Sequence, residues 1–147
     1  MSIDEIYDLF IWDASYSDEE YNLRVCKGFL EASKLKNLYP FIQPLTIPPE
    51  KSKSAWEACA EVVARRTDEE LTPYLYLLFE WLQDMNWPGA VRIYTRLSRI
   101  PAEKRIPALQ YSKHRAEEAN DELWILALEN FQKGEQYPEC YEFKEIV

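Results

Sequence analysis

Glycine is scarce in this sequence. Only three of the 147 residues are glycine, about 2% where roughly 7% is usual. β-Hairpins need glycine in their turns, and dinucleotide- and phosphate-binding folds need it in loops that approach the ligand closely. Neither a G-x-G-x-x-G nor a G-x-x-x-x-G-K motif occurs. The low glycine content therefore disfavours β-rich, Rossmann-type and P-loop proteins.

Long apolar runs and paired cysteines are missing too. No apolar run approaches the ~18 residues of a transmembrane helix, and the first residues lack the basic start of a signal peptide. Cys26, Cys59 and Cys140 are odd in number, far apart in sequence and form no C-x-x-C pair. We therefore expect a cytoplasmic protein of a bacterial-type cell, with its thiols reduced. We do not expect the protein to bind membranes.

Positive charge is in short supply. The 17 Lys and Arg residues stand against 26 Asp and Glu residues, and the net charge is −9. The excess acids lie at the two ends, in residues 1–37 and 135–147. Nucleic-acid affinity depends on basic side chains that displace counterions, so no nucleic-acid partner is expected. The negative charge would attract a basic protein partner; alternatively, it serves only solubility.

The sequence is rich in helix signals. S/T-x-x-E capping boxes begin at Ser2, Ser17 and Thr67. Together with apolar residues at helical spacing, they predict an all-α protein of about seven helices. The predicted helices cover residues 3–11, 18–38, 54–66, 68–85, 88–99, 107–119 and 121–133.

We expect a single domain made of three parts. Four prolines in residues 39–49 cannot lie inside a helix and predict a connector. The connector completes an N-terminal part, residues 1–46, which contains a helical pair. A helical core follows in residues 47–133, and residues 134–147 form an acidic tail with aromatic side chains.

The core contains a weak internal repeat with an offset of 37 residues. It pairs Asp84 with Asp121, Trp87 with Trp124, Ala90 with Ala127, and Tyr94 with Phe131. A period of this length that contains two helices is typical of an α-solenoid. The repeat predicts a HEAT-like α-α superhelix of antiparallel helix pairs, with a tryptophan at the start of the second helix of each pair.

Three stretches of this core carry a resemblance to a known family. They are residues 47–51, residues 79–90 and residues 120–124. Their W-L-Q-D-x-N-W-P motif and later D-x-x-W signal resemble domain-of-unknown-function family 5071, an uncharacterised bacterial family, over residues 47–133. The resemblance implies a HEAT-type helical-repeat fold in which Asp84 and Arg92 act as the corner acid and arginine. It implies no activity, substrate or cofactor.

The densest group of candidate site residues is the predicted corner between the fourth and fifth helices. The group comprises Trp81, Asp84, Asn86, Trp87 and Pro88, with Asp121 and Trp124 in the second repeat. In a structural role, Asp84 or Asn86 would cap the next helix, Pro88 would occupy its first turn, and the indoles would pack between helices. In a recognition role the tryptophans would be exposed, since Trp is enriched at binding hot spots. We favour the structural role.

A stripe of arginines is the second candidate site. Arg92, Arg96 and Arg99 are spaced so that they share one face of the predicted helix 88–99. In a superhelix this face would line a groove that suits an acidic peptide or a phosphate-bearing ligand. Alternatively, Arg92 pairs with Asp84 or with an acid of a neighbouring repeat.

Catalytic residues, metals and cofactors are not predicted. His114, the only histidine, could join Glu117 and Glu118, but zinc sites use three or four protein ligands. No serine or cysteine lies in a nucleophile motif. The sequence therefore favours a non-catalytic protein–protein interaction module, in its narrower form an immunity-type protein that neutralises a toxin. The alternative is a small-ligand-binding protein or enzyme that uses the basic groove.

Overall fold

The computed structural model describes residues 1–46 and 54–137. Within these ranges every regular element is helical and there is no strand. The α-helices are α1 (Ile3–Phe10), α2 (Asp18–Ser33), α3 (Ser54–Ala64), α4 (Asp68–Leu71), α5 (Leu75–Leu78), α6 (Ala90–Ser98), α7 (Ala102–Glu118) and α8 (Glu122–Gln132). The 3₁₀ helices are η1 (Tyr39–Phe41), η2 (Thr72–Tyr74) and η3 (Phe79–Gln83).

The predicted fold class is confirmed as all-α. The segments from α4 to η3 follow one another without a gap, and the described chain has seven longer helical units when this run is counted once. None of the described helices has both the length and the apolar character needed to cross a membrane.

Side-chain caps start the helices where the sequence predicts them. Ser2, Ser17 and Thr67 are N-caps, and each side-chain oxygen accepts a hydrogen bond from the backbone N–H three residues later. At Thr67 the Glu70 carboxylate also accepts from the Thr67 backbone N–H, which completes a capping box. These local contacts depend only on sequence spacing, so the sequence was sufficient to find them.

The predicted single helix over residues 68–85 is wrong. Pro73 cannot donate a backbone hydrogen bond, so α4 ends at Leu71 and the chain continues through η2. A second 3₁₀ segment, η3, then buries four consecutive residues, 79–82. A regular amphipathic α-helix would expose part of such a run. Because the chain departs from a regular α-helix here, all four residues 79–82 can be buried in the core.

Two other predicted helix ends are wrong. Helix α7 begins at Ala102 rather than at Pro107, which lies inside the helix. Because proline has no backbone N–H, α7 lacks one backbone hydrogen bond near its N-terminus. Helix α2 ends at Ser33 rather than near residue 38. The Arg66 side chain donates to the carbonyls of Ala32 and Leu35 at 2.9 and 2.7 Å, so a tertiary contact satisfies the end of α2.

The proline-rich connector is part of the core as far as the structure describes it. Phe41, Ile42 and Gln43 are fully buried, and the Gln43–Pro44 peptide bond is cis. The buried Gln43 side chain donates to Thr46 Oγ1 at 2.8 Å and accepts from the Thr46 backbone N–H at 3.1 Å. Residues 47–49 of the predicted connector lie outside the described residues.

One hydrophobic cluster joins the N-terminal helices to the rest of the molecule. Helix α1 packs on α2 and α3, helix α3 packs on α6, and α7 packs on α8, while η3 contacts α6, α7 and α8. Buried residues from Ile6 in α1 to Phe131 in α8 belong to this cluster. The N-terminal helical pair is therefore held rigidly against the core.

Candidate functional site

The tryptophan corner lies between η3 and α6 and packs against α3. Trp81 is fully buried, and its indole N–H donates to the carbonyl of Pro88 at 3.0 Å. Trp56 of α3 lies edge-on to both Trp81 and Trp87, with ring centroids 6.4 and 5.4 Å apart. Trp87 is half-buried. Trp81 and Trp56 therefore pack between helices and present no recognition surface.

The cap of the helix after this corner differs from the expected one. Asp84 accepts from the backbone N–H of Asn86 at 2.8 Å, so its carboxylate stabilises the turn and not the helix start. The N-cap of α6 is Gly89, which has no side chain that could cap the helix, and Pro88 precedes it. The Gly89 N–H donates to the Glu57 carboxylate of α3. A carboxylate distant in sequence therefore accepts from the backbone N–H of the N-cap residue itself.

Glycine is required at position 89 for two reasons. Its φ of +85° is left-handed, and a Cβ there would lie 2.7 Å from the Ala60 Cβ and 2.9 Å from Trp81 Cζ2. No larger residue could bring α6 this close to α3 without displacing one of them.

The two copies of the repeat have different local geometry. Asp121 caps α8 by accepting from the backbone N–H of Trp124 at 3.2 Å, so Trp124 lies in the first turn of its helix. Trp87 instead lies in the turn before α6. Trp124 is buried and its indole donates to the carbonyl of Phe79 at 3.1 Å. The repeat predicted a tryptophan at the start of a helix in both copies. This prediction holds for Trp124 and is wrong for Trp87.

The predicted arginine stripe is directed at α3 and the start of α4. Arg92 contacts Oε1 of Glu57 through Nε and Nη2, at 3.0 and 2.9 Å, and Oε2 of Glu61 through Nη1 at 2.5 Å. Its side chain is 11% exposed. Arg92 therefore pairs with two acids of α3 and not with Asp84.

Arg96 is bound in the same way, one turn further along α6. It donates to the Ala64 carbonyl at 3.1 Å, the Arg66 carbonyl at 2.8 Å and Asp68 Oδ1 at 2.7 Å. Arg99 is the C-cap residue of α6 and is exposed. The structure thus brings Arg92 and Arg96 together in ion pairs within the chain, and leaves Arg99 apart on the surface.

The remaining titratable candidates do not form a catalytic or metal group in the described residues. His114 is 70% exposed and its Nε2 lies 2.8 Å from Glu118 Oε1. In residues 1–46 and 54–137 no three His, Cys, Asp or Glu side chains are placed to hold a metal ion. Burial raises the pKa of the Cys59 thiol well above its usual range, which disfavours a reactive thiolate there. Cys140 lies outside the described residues.

The structure has surface clefts that the sequence motifs did not predict. A cleft of about 540 Å³ lies between α2 and the segment 62–70. A shallower cleft of about 380 Å³ lies between α5 and α7, beside the exposed rings of Tyr76 and Tyr111. The two walls of the first cleft come from segments far apart in the sequence, so no local pattern indicated it.

In the described residues all regular elements are helical, and a tryptophan corner and arginine–carboxylate pairs join α3, α4 and α6. The family model described as Domain of unknown function (DUF5071) matches residues 46–144, well over half of the chain. The chain belongs to this family, as its central motif had indicated. The match extends beyond the resemblance seen in residues 47–133 and includes most of the acidic tail. Comparisons with curated proteins and with solved structures found no match.

Proposed function

We propose that this protein is a non-catalytic interaction module that binds a basic region of a partner protein. The observation that carries the proposal is an acidic surface formed by residues 1–20, which contain seven Asp and Glu side chains and no Lys, Arg or His. All seven are exposed. They are Asp4, Glu5, Asp8, Asp13, Asp18, Glu19 and Glu20.

The acidic surface has features that favour protein binding over simple solubility. Trp12 lies within it and is 53% exposed, and tryptophan is the residue type most enriched at binding hot spots. Three of the seven acids lie on α1, which is anchored by the fully buried Ile6 and Phe10, and three lie in the first turn of α2, which packs on α1. A fixed array of negative charges would attract a cationic surface and orient it before contact.

The narrower form of the proposal is an immunity-type protein that neutralises a basic toxin. A toxin that acts on nucleic acid needs a positively charged active-site surface, because its substrate is a polyanion. An acidic module would cover such a surface and exclude the substrate. The chain itself is too acidic to compete for nucleic acid, and we propose a bacterial cytoplasmic location in which Cys26 and Cys59 stay reduced.

We also propose that the helix pairs stack as a HEAT-like superhelix. The support is the contact between Tyr94 and Phe131, which are equivalent positions of the 37-residue repeat and have ring centroids 5.1 Å apart. Stacked repeats bury equivalent residues against each other. The alternative of a ligand site or an enzyme on α6 has less support, because Arg92 and Arg96 bind acids and carbonyls of the chain itself.

Affinity purification with matched charge variants tests the proposal. Tagged wild-type protein is compared with the variant Asp8→Asn/Glu19→Gln/Glu20→Gln in lysate of the native cell. We expect a basic protein that is retained by the wild type, released by salt, and lost from the variant, since interactions between exposed charges are screened. The variant Glu103→Gln/Glu117→Gln/Glu129→Gln removes as many exposed charges elsewhere and should retain the partner. Equal retention by both variants, or an acidic partner, would contradict the proposal.

A further inference from the structure

A third cleft lies between α7 and the end of α8. Its volume of about 310 Å³ is at the lower end of the range usual for ligand pockets, roughly 300–1,000 Å³. Leu109 and Phe131 are nearly buried and form its floor, whereas Ile106 is 44% exposed and is the apolar side chain open to a ligand. The rest of the lining is polar or positively charged.

The charge of this cleft is opposite to that of the whole chain. Its lining contains Arg105 and Lys113 and, among the described residues, no Asp or Glu. Residues 99–115 carry five Lys and Arg side chains against one Glu, a net charge of +4 with His114 neutral, in a chain of net charge −9. Two cations in a cleft without a carboxylate attract anions, and a dianion neutralises both of them.

Arg105 is held in place through one half of its guanidinium. Nη1 donates to the carbonyls of Ser98 and Ile100, at 2.8 and 2.9 Å, and Cζ lies 5.6 Å from the centre of the Phe131 ring. In the described part of the chain, Nε and Nη2 make no hydrogen bond and no carboxylate pairs with the group. Nε and Nη2 lie on one edge of the planar guanidinium, and these two parallel donors match the two oxygens of a carboxylate.

Lys113 and Gln132 supply donors at the other end of the cleft. Lys113 Nζ donates to Gln132 Oε1 at 2.8 Å, which uses one of the three N–H groups and fixes the ammonium beside α8. Because the amide oxygen of Gln132 faces this ammonium, its Nε2 group is the part of the amide left to a ligand. Both ends of the cleft therefore offer donors, and a carboxylate supplies only acceptors.

The two cationic ends are eight residues apart along α7. A rise of about 1.5 Å per residue separates their Cα atoms by roughly 12 Å. Their hydrogen bonds hold Arg105 toward the end of α6 and Lys113 toward the end of α8. A molecule with an acidic group at each end therefore suits the cleft better than one small anion. The exposed Ile106 lies between the two cations in sequence and can contact the middle of such a molecule.

We propose that this cleft binds a dicarboxylic acid whose two carboxylates are joined by an apolar spacer. One carboxylate binds the Nε–Nη2 edge of Arg105, and the other binds Lys113 Nζ and Gln132 Nε2. The spacer lies over Ile106. The site shares no residue with the acidic surface of residues 1–20, so it does not depend on the proposed protein partner.

Titration of suberate into isotope-labelled protein, followed by NMR, tests the inference. Suberate has a carboxylate at each end, octanoate has the same number of carbons with one carboxylate, and succinate has two carboxylates on a short spacer. We expect saturable amide shifts in residues 105–113 and 131–132. At equal ionic strength, suberate should bind about tenfold more tightly than octanoate or succinate, a difference of one charge-assisted hydrogen bond, because it alone reaches both ends.

Charge variants at the two ends complete the test. Lys113→Gln removes one end and should lower the affinity for suberate to that for octanoate, whereas Lys36→Gln, at an exposed lysine outside the cleft, should not change it. Arg105→Gln should act like Lys113→Gln, but it also removes bonds to the end of α6, so Lys113→Gln keeps the test decisive if that variant does not fold. Absence of shifts in the wild type, equal binding of suberate and octanoate, or unchanged suberate binding in Lys113→Gln would overturn the proposal.

Discussion

Arg92 of α6 places two of its nitrogens on a single oxygen of Glu57 in α3, with Nε at 3.0 Å and Nη2 at 2.9 Å from Oε1. The other oxygen of Glu57 accepts from the backbone N–H of Gly89. One carboxylate therefore holds both the N-terminus of α6 and a side chain one turn later. This arrangement fixes α6 against α3 and explains why the arginine face of α6 does not form an open groove.

The first prediction concerns this ion pair. Arg92→Ala leaves Glu57 and Glu61, which are 26% and 16% exposed, without their shared counterion. Removing one partner of a buried pair costs about 3–5 kcal/mol, and partial exposure reduces the expected loss here to about 2 kcal/mol. Urea unfolding measures the loss. Arg99→Ala, at an exposed position of the same stripe, should cost less than about 0.5 kcal/mol.

The comparison between the two variants also bears on the groove hypothesis. If Arg92→Ala is as stable as Arg99→Ala, the ion pairs contribute little to folding. The face of α6 would then be available to a ligand, and the small-ligand alternative would regain its support.

The second prediction compares two glycines with left-handed backbone, Gly89 and Gly134, to separate the cost of a steric clash from the cost of backbone strain. Gly89→Ala forces a Cβ to within 2.7 Å of Ala60 in a backbone with φ of +85°, whereas Gly134→Ala has φ of +79° and no atom within 4 Å. Gly134→Ala should cost about 1 kcal/mol, the strain of a left-handed residue. Gly89→Ala should cost about 3 kcal/mol because overpacking adds to that strain. Equal losses in thermal unfolding would contradict the close approach of α6 and α3.

The third prediction concerns the corner indoles. Trp87 is half-buried and packs edge-on against Trp56, with ring centroids 5.4 Å apart. Trp87→Ala should cost about 2 kcal/mol, less than the 3–5 kcal/mol of a fully buried tryptophan. Trp12→Ala should cost under about 1 kcal/mol, since its ring is more than half exposed. A loss at Trp87 as small as that at Trp12 would make the Trp87 ring available as a recognition residue.

The sequence predicted those features that depend on neighbouring residues. The caps at Ser2, Ser17 and Thr67 and the left-handed end of α8 at Gly134 follow from spacing and residue type, and all are present. The family followed from one dense motif. Apolar periodicity continued across Pro73, which is why the broken helix was missed.

Features that depend on distant residues were not predictable. Glu57 lies 32 positions before Gly89, and no pattern in the sequence indicates that it binds the Gly89 N–H. Arg66 ends α2 from more than 30 positions away. The candidate cleft was missed for the same reason, since its two walls come together only in the folded chain. The spacing grouped Arg92, Arg96 and Arg99, but only the fold shows that Arg92 meets acids of α3 and Arg96 meets Asp68, while Arg99 lies apart.

The last prediction is a pH dependence at Glu70. Hydrogen bonds from Arg66 and from the Thr67 backbone N–H lower the pKa of Glu70 below its usual 4.5. A lowered folded-state pKa stabilises the protein above the unfolded-state value, and this contribution is lost as pH falls through the folded-state value. Glu70→Gln should therefore be less stable than wild type at neutral pH, and the difference in unfolding free energy measured with urea should shrink as the pH falls below the usual pKa of a glutamate carboxyl. Glu69→Gln keeps both hydrogen bonds and should show a smaller difference; an equal difference would contradict this cause.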